Sequence, residues 1–194
     1  MRAVLRAAPW FGGEPSAGLL EAVDLLDGVW RVAAGEFYAD RQSKLALGKS
    51  APKGSQRFLN RAIEQRFEAA SWDVQGGRFI KGSTWVRITF RHQMSLGSDL
   101  LDALKVAKKT DVRQVAILAA SAEALATISP NDQHALTSYE KLSAAVQDLA
   151  GCMDIPLVIG QLSLRSPLPA DVARVVLADR PRDTYVPSTG RQPG

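Results

Sequence analysis

The stretch that decides the fold is residues 76–91, which read GGRFIKGSTWVRITFR. Two glycines begin it with a turn signal, and a second turn signal follows at Gly82. After that glycine the residues alternate: Val86, Ile88 and Phe90 fall on one face of a strand, and residues 85, 87, 89 and 91 fall on the other. The pattern predicts a β-hairpin whose second strand has one apolar face and one face that carries two arginines.

Helical and strand-like patterns alternate on both sides of this hairpin. Apolar residues at three- and four-residue spacing predict helices, and continuous apolar runs predict buried strands. We expect Gly35 to end the first helix and Ser55 to cap the second. Strands interleaved with helices predict an α/β fold with a mixed β-sheet flanked by helices. The predicted helices are residues 16–32, 55–70, 100–108 and 136–149, the further strands are 115–120, 155–162 and 172–177, and the loops are 42–54 and 129–132.

The composition predicts one ordinary globular domain. With 194 residues, of which 46% are hydrophobic, the chain can bury a real core. We expect a single domain over residues 1–179 and a flexible tail, rich in Pro, Gly and Arg, over residues 180–194. One cysteine, Cys152, excludes an intrachain disulfide and a zinc site built on cysteines, and the two histidines make a structural zinc site improbable. No stretch approaches the roughly 18 apolar residues of a membrane span, so a cytoplasmic protein without a membrane partner is expected.

The charge is concentrated in one part of the sequence. The chain carries a formal net charge of +4, but residues 41–91 hold eleven Lys and Arg against three acids, a balance of +8. No acidic residue occurs between Asp73 and Asp99. Such a block predicts a polyanionic partner, most plausibly nucleic acid, or else a solvated basic face that keeps the protein soluble.

The order and spacing of five segments resemble those of the BglII-like type II restriction endonucleases, of the PD-(D/E)XK nuclease superfamily. The resemblance extends over residues 41–164, and no single segment is specific by itself. It implies a restriction-endonuclease-like core, double-stranded DNA as the partner, and a homodimer, since a palindromic site needs a two-fold symmetric reader. The segments are residues 54–59 (GSQRFL), 86–90 (VRITF), 115–118 (VAIL), 138–141 (SYEK) and 154–157 (DIPL).

The resemblance also implies a metal-dependent chemistry that this sequence does not match. In the family, an acid on the first hairpin strand and Glu-x-Lys or Glu-x-Gln on the second hold Mg²⁺, which activates water against the phosphate. Here the first-strand position is Arg78, and the second-strand positions are Arg87 and Thr89. None of these side chains holds a divalent cation as a carboxylate does. We therefore assign no catalytic residue and no metal ligand, and we expect no cofactor.

Arginine at these positions can contact phosphate oxygens directly, or can simply reflect an exposed face that became basic. The family also implies DNA contacts from the segment after the second strand and from the loop before the fourth helix, where amide side chains suit base edges. The alternatives are a polar connection and an ordinary surface turn. The candidate DNA-binding residues are Arg57, Arg61, Arg78, Arg87, Arg91, His92, Gln93, Asn131, Gln133 and His134.

Three functions stay open at this point. The first is a DNA-binding protein that has the nuclease fold and has lost cleavage. The second is an active Mg²⁺-dependent endonuclease whose acid is Asp73, Glu68 or Glu64. The third is a protein-interaction module on the same fold.

Overall fold

The computed structural model describes residues 2–6, 15–109, 111–149 and 157–164, and these form six strands and six α-helices. The strands are β1 (Arg2–Arg6), β2 (Asp73–Val74), β3 (Arg78–Lys81), β4 (Thr84–Thr89), β5 (Gln114–Ala120) and β6 (Leu157–Ser163). The helices are α1 (Ala17–Leu25), α2 (Val29–Ala46), α3 (Gln56–Ala69), α4 (Leu96–Lys109), α5 (Ala122–Ile128) and α6 (Tyr139–Asp148), with a short 3₁₀ turn at Gln93–Ser95.

All six strands belong to one mixed sheet, in the order β1-β6-β5-β4-β3-β2. The three central strands β4, β5 and β6 run parallel, whereas β1 and the β2–β3–β4 meander add antiparallel strands at the two sides. The predicted hairpin is present, and its register places Arg78 directly opposite Arg87. The predicted α/β fold with a mixed sheet is therefore confirmed.

The sheet separates two hydrophobic cores, so both faces of β4 are buried, although its alternation predicts only one apolar face. Val86, Ile88 and Phe90 pack on one face with α1, α2 and α3, while Trp85 packs on the other face with α4 and α6. Every residue of β5 is buried, because helices cover both faces of this central strand. A period of two residues thus determines which of the two cores each side chain of β4 faces.

The first predicted helix is wrong in its extent. The chain leaves the helix after Leu25 and passes through Gly28, whose φ of 72° suits glycine, before α2 continues to Ala46. Gly35 does not end a helix; it lies inside α2, where a Cβ would meet nothing within 4 Å. The predicted loop over residues 42–54 is therefore shorter, since its first five residues belong to α2.

The other differences lie at element ends and in three short elements that the sequence did not reveal. Ser55 precedes α3 as predicted, but its hydroxyl donates to the Ile128 carbonyl oxygen at 3.1 Å and does not cap the helix. Helix α4 begins four residues earlier than predicted and α6 three residues later, with Ser138 as its cap. Strands β1 and β2 and helix α5 were not predicted.

Cys152, the predicted strand at residues 172–177 and the predicted tail lie outside the described residues, and the proposed domain boundary lies there as well. Among the residues that the structure does describe, no helix is both long and apolar enough to cross a membrane.

Candidate nucleic-acid interface

Helix α4 packs beside the hairpin positions at which the resemblance predicts nuclease carboxylates. Arg78 on β3 and Arg87 on β4 lie opposite each other, and Thr89 follows on the same face of β4. Helix α4 contributes Asp99 from its first turn and Asp102 one turn later. Two acids spaced by three residues lie on one side of a helix, so each one reaches one arginine of the hairpin.

Asp99 is the centre of this ion-paired cluster. Its carboxylate is fully buried; Oδ1 lies 3.2 Å from Arg87 Nε and accepts a hydrogen bond of 2.8 Å from Arg91 Nη1. Oδ2 accepts a hydrogen bond of 3.0 Å from the Thr89 hydroxyl. The contact to Arg87 Nε is an ion pair without hydrogen-bond geometry, since this nitrogen has no hydrogen-bond partner. Both carboxylate oxygens are therefore occupied by side chains of β4 and of the residues that follow it.

Arg87 is held inside the protein. Only 5% of the residue is exposed, and its Nη1 donates to the Gly76 carbonyl oxygen at 2.7 Å. Burial lowers the pKa of Arg87, the charge of Asp99 opposes this effect, and Arg91 and Arg78 add to the lowering. An arginine stays protonated even so, which makes Asp99 the counterion that its burial requires.

The structure changes the interpretation of the arginine positions. Arg78 is paired with Asp102 at the rim of the cluster, where 41% of the arginine side chain is exposed. Arg87 is committed to Asp99 and Gly76, so we no longer expect it to contact phosphate directly. Arg91 keeps 43% of its side chain exposed while one of its nitrogens contacts Asp99. Of these three arginines, Arg91 is best placed to meet a ligand from solvent.

The donor set in this part of the protein does not fit a divalent cation. Within the described residues, no three His, Cys, Asp or Glu side chains converge in a way that could hold a metal ion. The alternative acids are not brought together either. Asp73 is exposed on β2 and accepts from Gln75 Nε2 at 2.9 Å, and Glu68 is exposed on α3. Only Glu64 lines a cleft beside Arg91.

Two of the predicted DNA-contact segments lie side by side. His92 forms an antiparallel bridge with Leu136, Gln93 N donates to the Ala135 carbonyl oxygen at 2.7 Å, and Thr137 N donates to the Arg91 carbonyl oxygen at 2.8 Å. These backbone bonds join the segment after β4 to the loop before α6. The expected contacts after the strand and in the loop therefore share one surface.

The start of α3 anchors the same region. The Gln56 amide donates to the Phe90 carbonyl oxygen at 3.0 Å, and Ser55 N donates to the Ile128 carbonyl oxygen at 2.8 Å. A Cβ at Gly54 would lie 3.0 Å from the Ile128 carbonyl oxygen, so the chain needs glycine for this close approach. We call the resulting region the β4-end surface; it consists of Gln56, Arg91, His92, Gln93, Asn131, Gln133 and His134.

Most side chains of the β4-end surface are open to solvent while their backbone is fixed. Arg91, His92, Gln93, Asn131 and His134 are exposed, and Gln133 is half-buried. His92 Nδ1 accepts from Met94 N at 3.2 Å, which orients the imidazole. Exposed donors and acceptors on a backbone held by hydrogen bonds suit the recognition of another polar molecule.

The outer face of α3 is a different region. Arg57 is paired with Asp40 at 2.7 Å, and Arg61 with Glu36 at 2.6 Å, both across to α2. A hydrogen bond from Lys44 is the main reason why the pKa of Asp40 is lowered, and Arg57 adds to it. The predicted contacts Arg57 and Arg61 are thus exposed but charge-compensated, and they do not converge on Arg91.

Sequence reasoning missed the two acids of α4. Asp99 was noted only as the end of an acid-free stretch and Asp102 was not noted at all, although their three-residue spacing places both on one side of a helix that follows Arg91. Their partners depend on how α4 is rotated against the sheet, which the spacing alone does not specify.

No family model matches the sequence, and no curated protein is similar to it. Among solved structures, the chain is similar to the restriction endonuclease BglII in complex with a DNA 16-mer, with a TM-score of 0.51, 12% identity, and coverage of 86% of this chain and 79% of that one. Free BglII gives a TM-score of 0.45 at 13% identity, with 84% and 80% covered. The likeness to the DNA-bound structure shows the fold, which is that of a BglII-like restriction endonuclease.

Proposed function

We propose that this protein binds double-stranded DNA through the β4-end surface and does not cleave it by a metal-dependent route. The observation that carries this proposal is the backbone bridge between residues 91–93 and 135–137, which brings two predicted contact segments that are distant in sequence onto one surface. Separate polar loops are common on any protein. Two that are fixed to each other at the end of a central strand form a continuous surface of side chains.

The chemistry of the surface supports DNA as the ligand. Arg91 offers a half-exposed guanidinium for a phosphate, while the amides of Gln93 and Asn131 suit the edges of bases. Acids outside residues 41–91 pair with several arginines of this segment, but the chain as a whole keeps a formal net charge of +4, so the long-range attraction has the right sign. That BglII binds DNA with the same fold adds support to the proposal.

The ion-paired cluster supports the absence of cleavage. In this part of the described structure the carboxylate oxygens of Asp99 are already taken by Arg87, Arg91 and Thr89. A divalent cation at this place would have to displace an arginine from a fully buried carboxylate and would leave that arginine beside the metal. The same interactions hold α4 against the hairpin, so the cluster serves the fold and not the activation of water.

The test is binding of a labelled DNA duplex, measured by fluorescence anisotropy over a range of salt concentrations, with Mg²⁺ and with EDTA. We expect the affinity to be equal in the two buffers and to fall with rising salt. Arg91→Gln should weaken binding and reduce the salt slope by about 1, as the loss of one phosphate contact does. Arg113→Gln is the matched control, since Arg113 is exposed at the opposite end of β4 and β5.

The alternatives predict different results. Cleavage of plasmid DNA that requires Mg²⁺ and is lost in Glu64→Gln, Glu68→Gln or Asp73→Asn would replace this proposal with an active endonuclease. No binding to any duplex at low salt would favour a protein-interaction module. A homodimer is the state that a two-fold site would require, and sedimentation of the free and DNA-bound protein measures it.

A further inference from the structure

A cleft with a volume of about 230 Å³ lies between α3 and the turn that joins β2 to β3. Helix α3 contributes Gln56, Asn60 and Glu64 to its lining, and the opposite side carries Arg87 and Arg91. The remaining walls are apolar and include the buried rings of Phe79 and Phe90. The cleft adjoins the β4-end surface, with which it shares Gln56 and Arg91.

Glu64 has an open carboxylate in this cleft. Within the described residues it forms no hydrogen bond and no ion pair, although it is half-buried and lines the same cleft as two arginines. Arg91 is held in place by the hydrogen bond from its Nη1 to Asp99. Its other guanidinium nitrogens are not engaged by Asp99. Gln56 is held through its Nε2, which leaves its amide oxygen available. Acceptor oxygens of Glu64 and Gln56 and a donor of Arg91 therefore line the same space, and Gln56 and Arg91 are each held by a hydrogen bond.

The charges and the walls limit the class of ligand. Two arginines and two carboxylates, Glu64 and Asp99, belong to this region, so it is close to neutral and favours neither a bare anion nor a bare cation. Aromatic and aliphatic walls favour a flat ring, which gains by burial against them. The ligand should thus be a neutral heteroaromatic ring with donors on one edge and an acceptor beside them.

We propose that the cleft binds a guanine base. Guanine carries two adjacent donors, N1–H and N2–H, that match the two oxygens of the Glu64 carboxylate, and its O6 can accept from Arg91. Adenine and cytosine each place a ring acceptor beside their amino group, so one carboxylate oxygen would face another acceptor. Thymine has a single ring donor between two carbonyl oxygens.

The base can come from a free nucleotide or from a DNA strand on the β4-end surface. Only the second source rests on the proposed DNA binding. A base that leaves a duplex is read by hydrogen bonds to its pairing edge and by apolar contact with its faces, and this cleft offers both kinds of contact.

The first experiment titrates the full chain with guanosine 5′-monophosphate, inosine 5′-monophosphate and adenosine 5′-monophosphate, followed by calorimetry or by chemical shifts of backbone amides. Inosine lacks the N2 amino group, so we expect it to bind at least about tenfold more weakly than guanosine monophosphate. Glu64→Gln should remove the preference for guanosine, while Glu68→Gln should keep it, because Glu68 is exposed on the same helix and does not line the cleft.

The second experiment asks whether the base arrives on DNA. A short oligonucleotide with one guanine is compared with the same strand carrying inosine, each single-stranded and in a duplex, with wild-type protein and Glu64→Gln. Discrimination only on DNA assigns the cleft to a strand on the β4-end surface, and discrimination only with the monophosphates assigns it to a free nucleotide.

The two proposals fail separately. Equal binding of the three monophosphates together with equal binding of the guanine and inosine strands overturns the guanine site, and duplex binding that persists then leaves the proposed function standing. A preference for guanosine monophosphate without any duplex binding supports the guanine site and overturns the proposed function. The comparison of ligands does not depend on any variant being folded.

Discussion

Replacing Asp99 by asparagine is expected to destabilise the protein far more than the same change at Asp102. The two acids lie one turn apart on α4 and each pairs with one arginine of the hairpin. They differ in burial: the Asp99 side chain is 0% exposed with its partner Arg87 at 6%, while the Asp102 side chain is 23% exposed with Arg78 at 41%.

The magnitudes follow from this difference. Removal of the Asp99 charge leaves the buried guanidinium of Arg87 without a counterion, which costs about 3–5 kcal/mol. The exposed pair of Asp102 and Arg78 is worth about 0–1 kcal/mol, because water solvates Arg78 when its partner is lost. With a urea slope of about 2–3 kcal/mol per M, the unfolding midpoint should fall by about 1–2.5 M for Asp99→Asn and by less than about 0.5 M for Asp102→Asn.

The assay is equilibrium urea unfolding followed by tryptophan fluorescence and by circular dichroism. A further variant, Arg87→Met with Asp99→Leu, removes both charges and fills the space with apolar groups, so it should be more stable than Asp99→Asn alone. Equal destabilisation by Asp99→Asn and Asp102→Asn would refute the argument that burial of Arg87 makes Asp99 indispensable. A double variant less stable than Asp99→Asn would also count against it.

Two further predictions follow from single sites. A Cβ at Gly18 would lie 2.5 Å from Thr84 Oγ1, so Gly18→Ala should lower the free energy of unfolding by about 1–3 kcal/mol. A Cβ at Gly35 would meet nothing within 4 Å, so Gly35→Ala should raise the free energy of unfolding by about 0.5–1 kcal/mol. Thermal unfolding of the two variants side by side measures both changes, and two changes of the same sign would contradict this prediction. Glu21 has its pKa lowered, mainly by the hydrogen bond from Lys81, so its contribution is complete above the ordinary value of 4.5 and is lost as pH falls through the lower folded-state pKa. The difference in stability between wild type and Glu21→Gln should therefore be largest near neutral pH and shrink in acid, and a difference that grows on acidification would contradict the lowered pKa.

The hairpin shows how far local sequence patterns can be used here. A period of two residues between turn signals is a local property, so it predicted β3, β4 and the face on which Arg87 and Thr89 lie. Strand β1 shows the opposite case. Its five residues pair with β6 some 160 positions away, and so short a run carries no pattern that distinguishes it from a loop.

The first two helices show a different limit. The sequence contains Gly28 and Gly35 within one amphipathic stretch, and the prediction placed the stop at the wrong one. Glycine permits a left-handed residue but does not require it. Packing decided between them, since Val29 and Trp30, directly after the break, are both buried in the core.

By itself, the sequence determined an α/β fold with a mixed sheet, a basic central block, and arginines on one face of the hairpin. These follow from composition and from short periodicities. Only the tertiary structure decided what those arginines do. Helix α4 brings Asp99 against Arg87, and the bridge from His92 to Leu136 joins two distant segments into one surface. Both are long-range contacts, and they depend on the rotation and placement of whole elements, which no local pattern encodes.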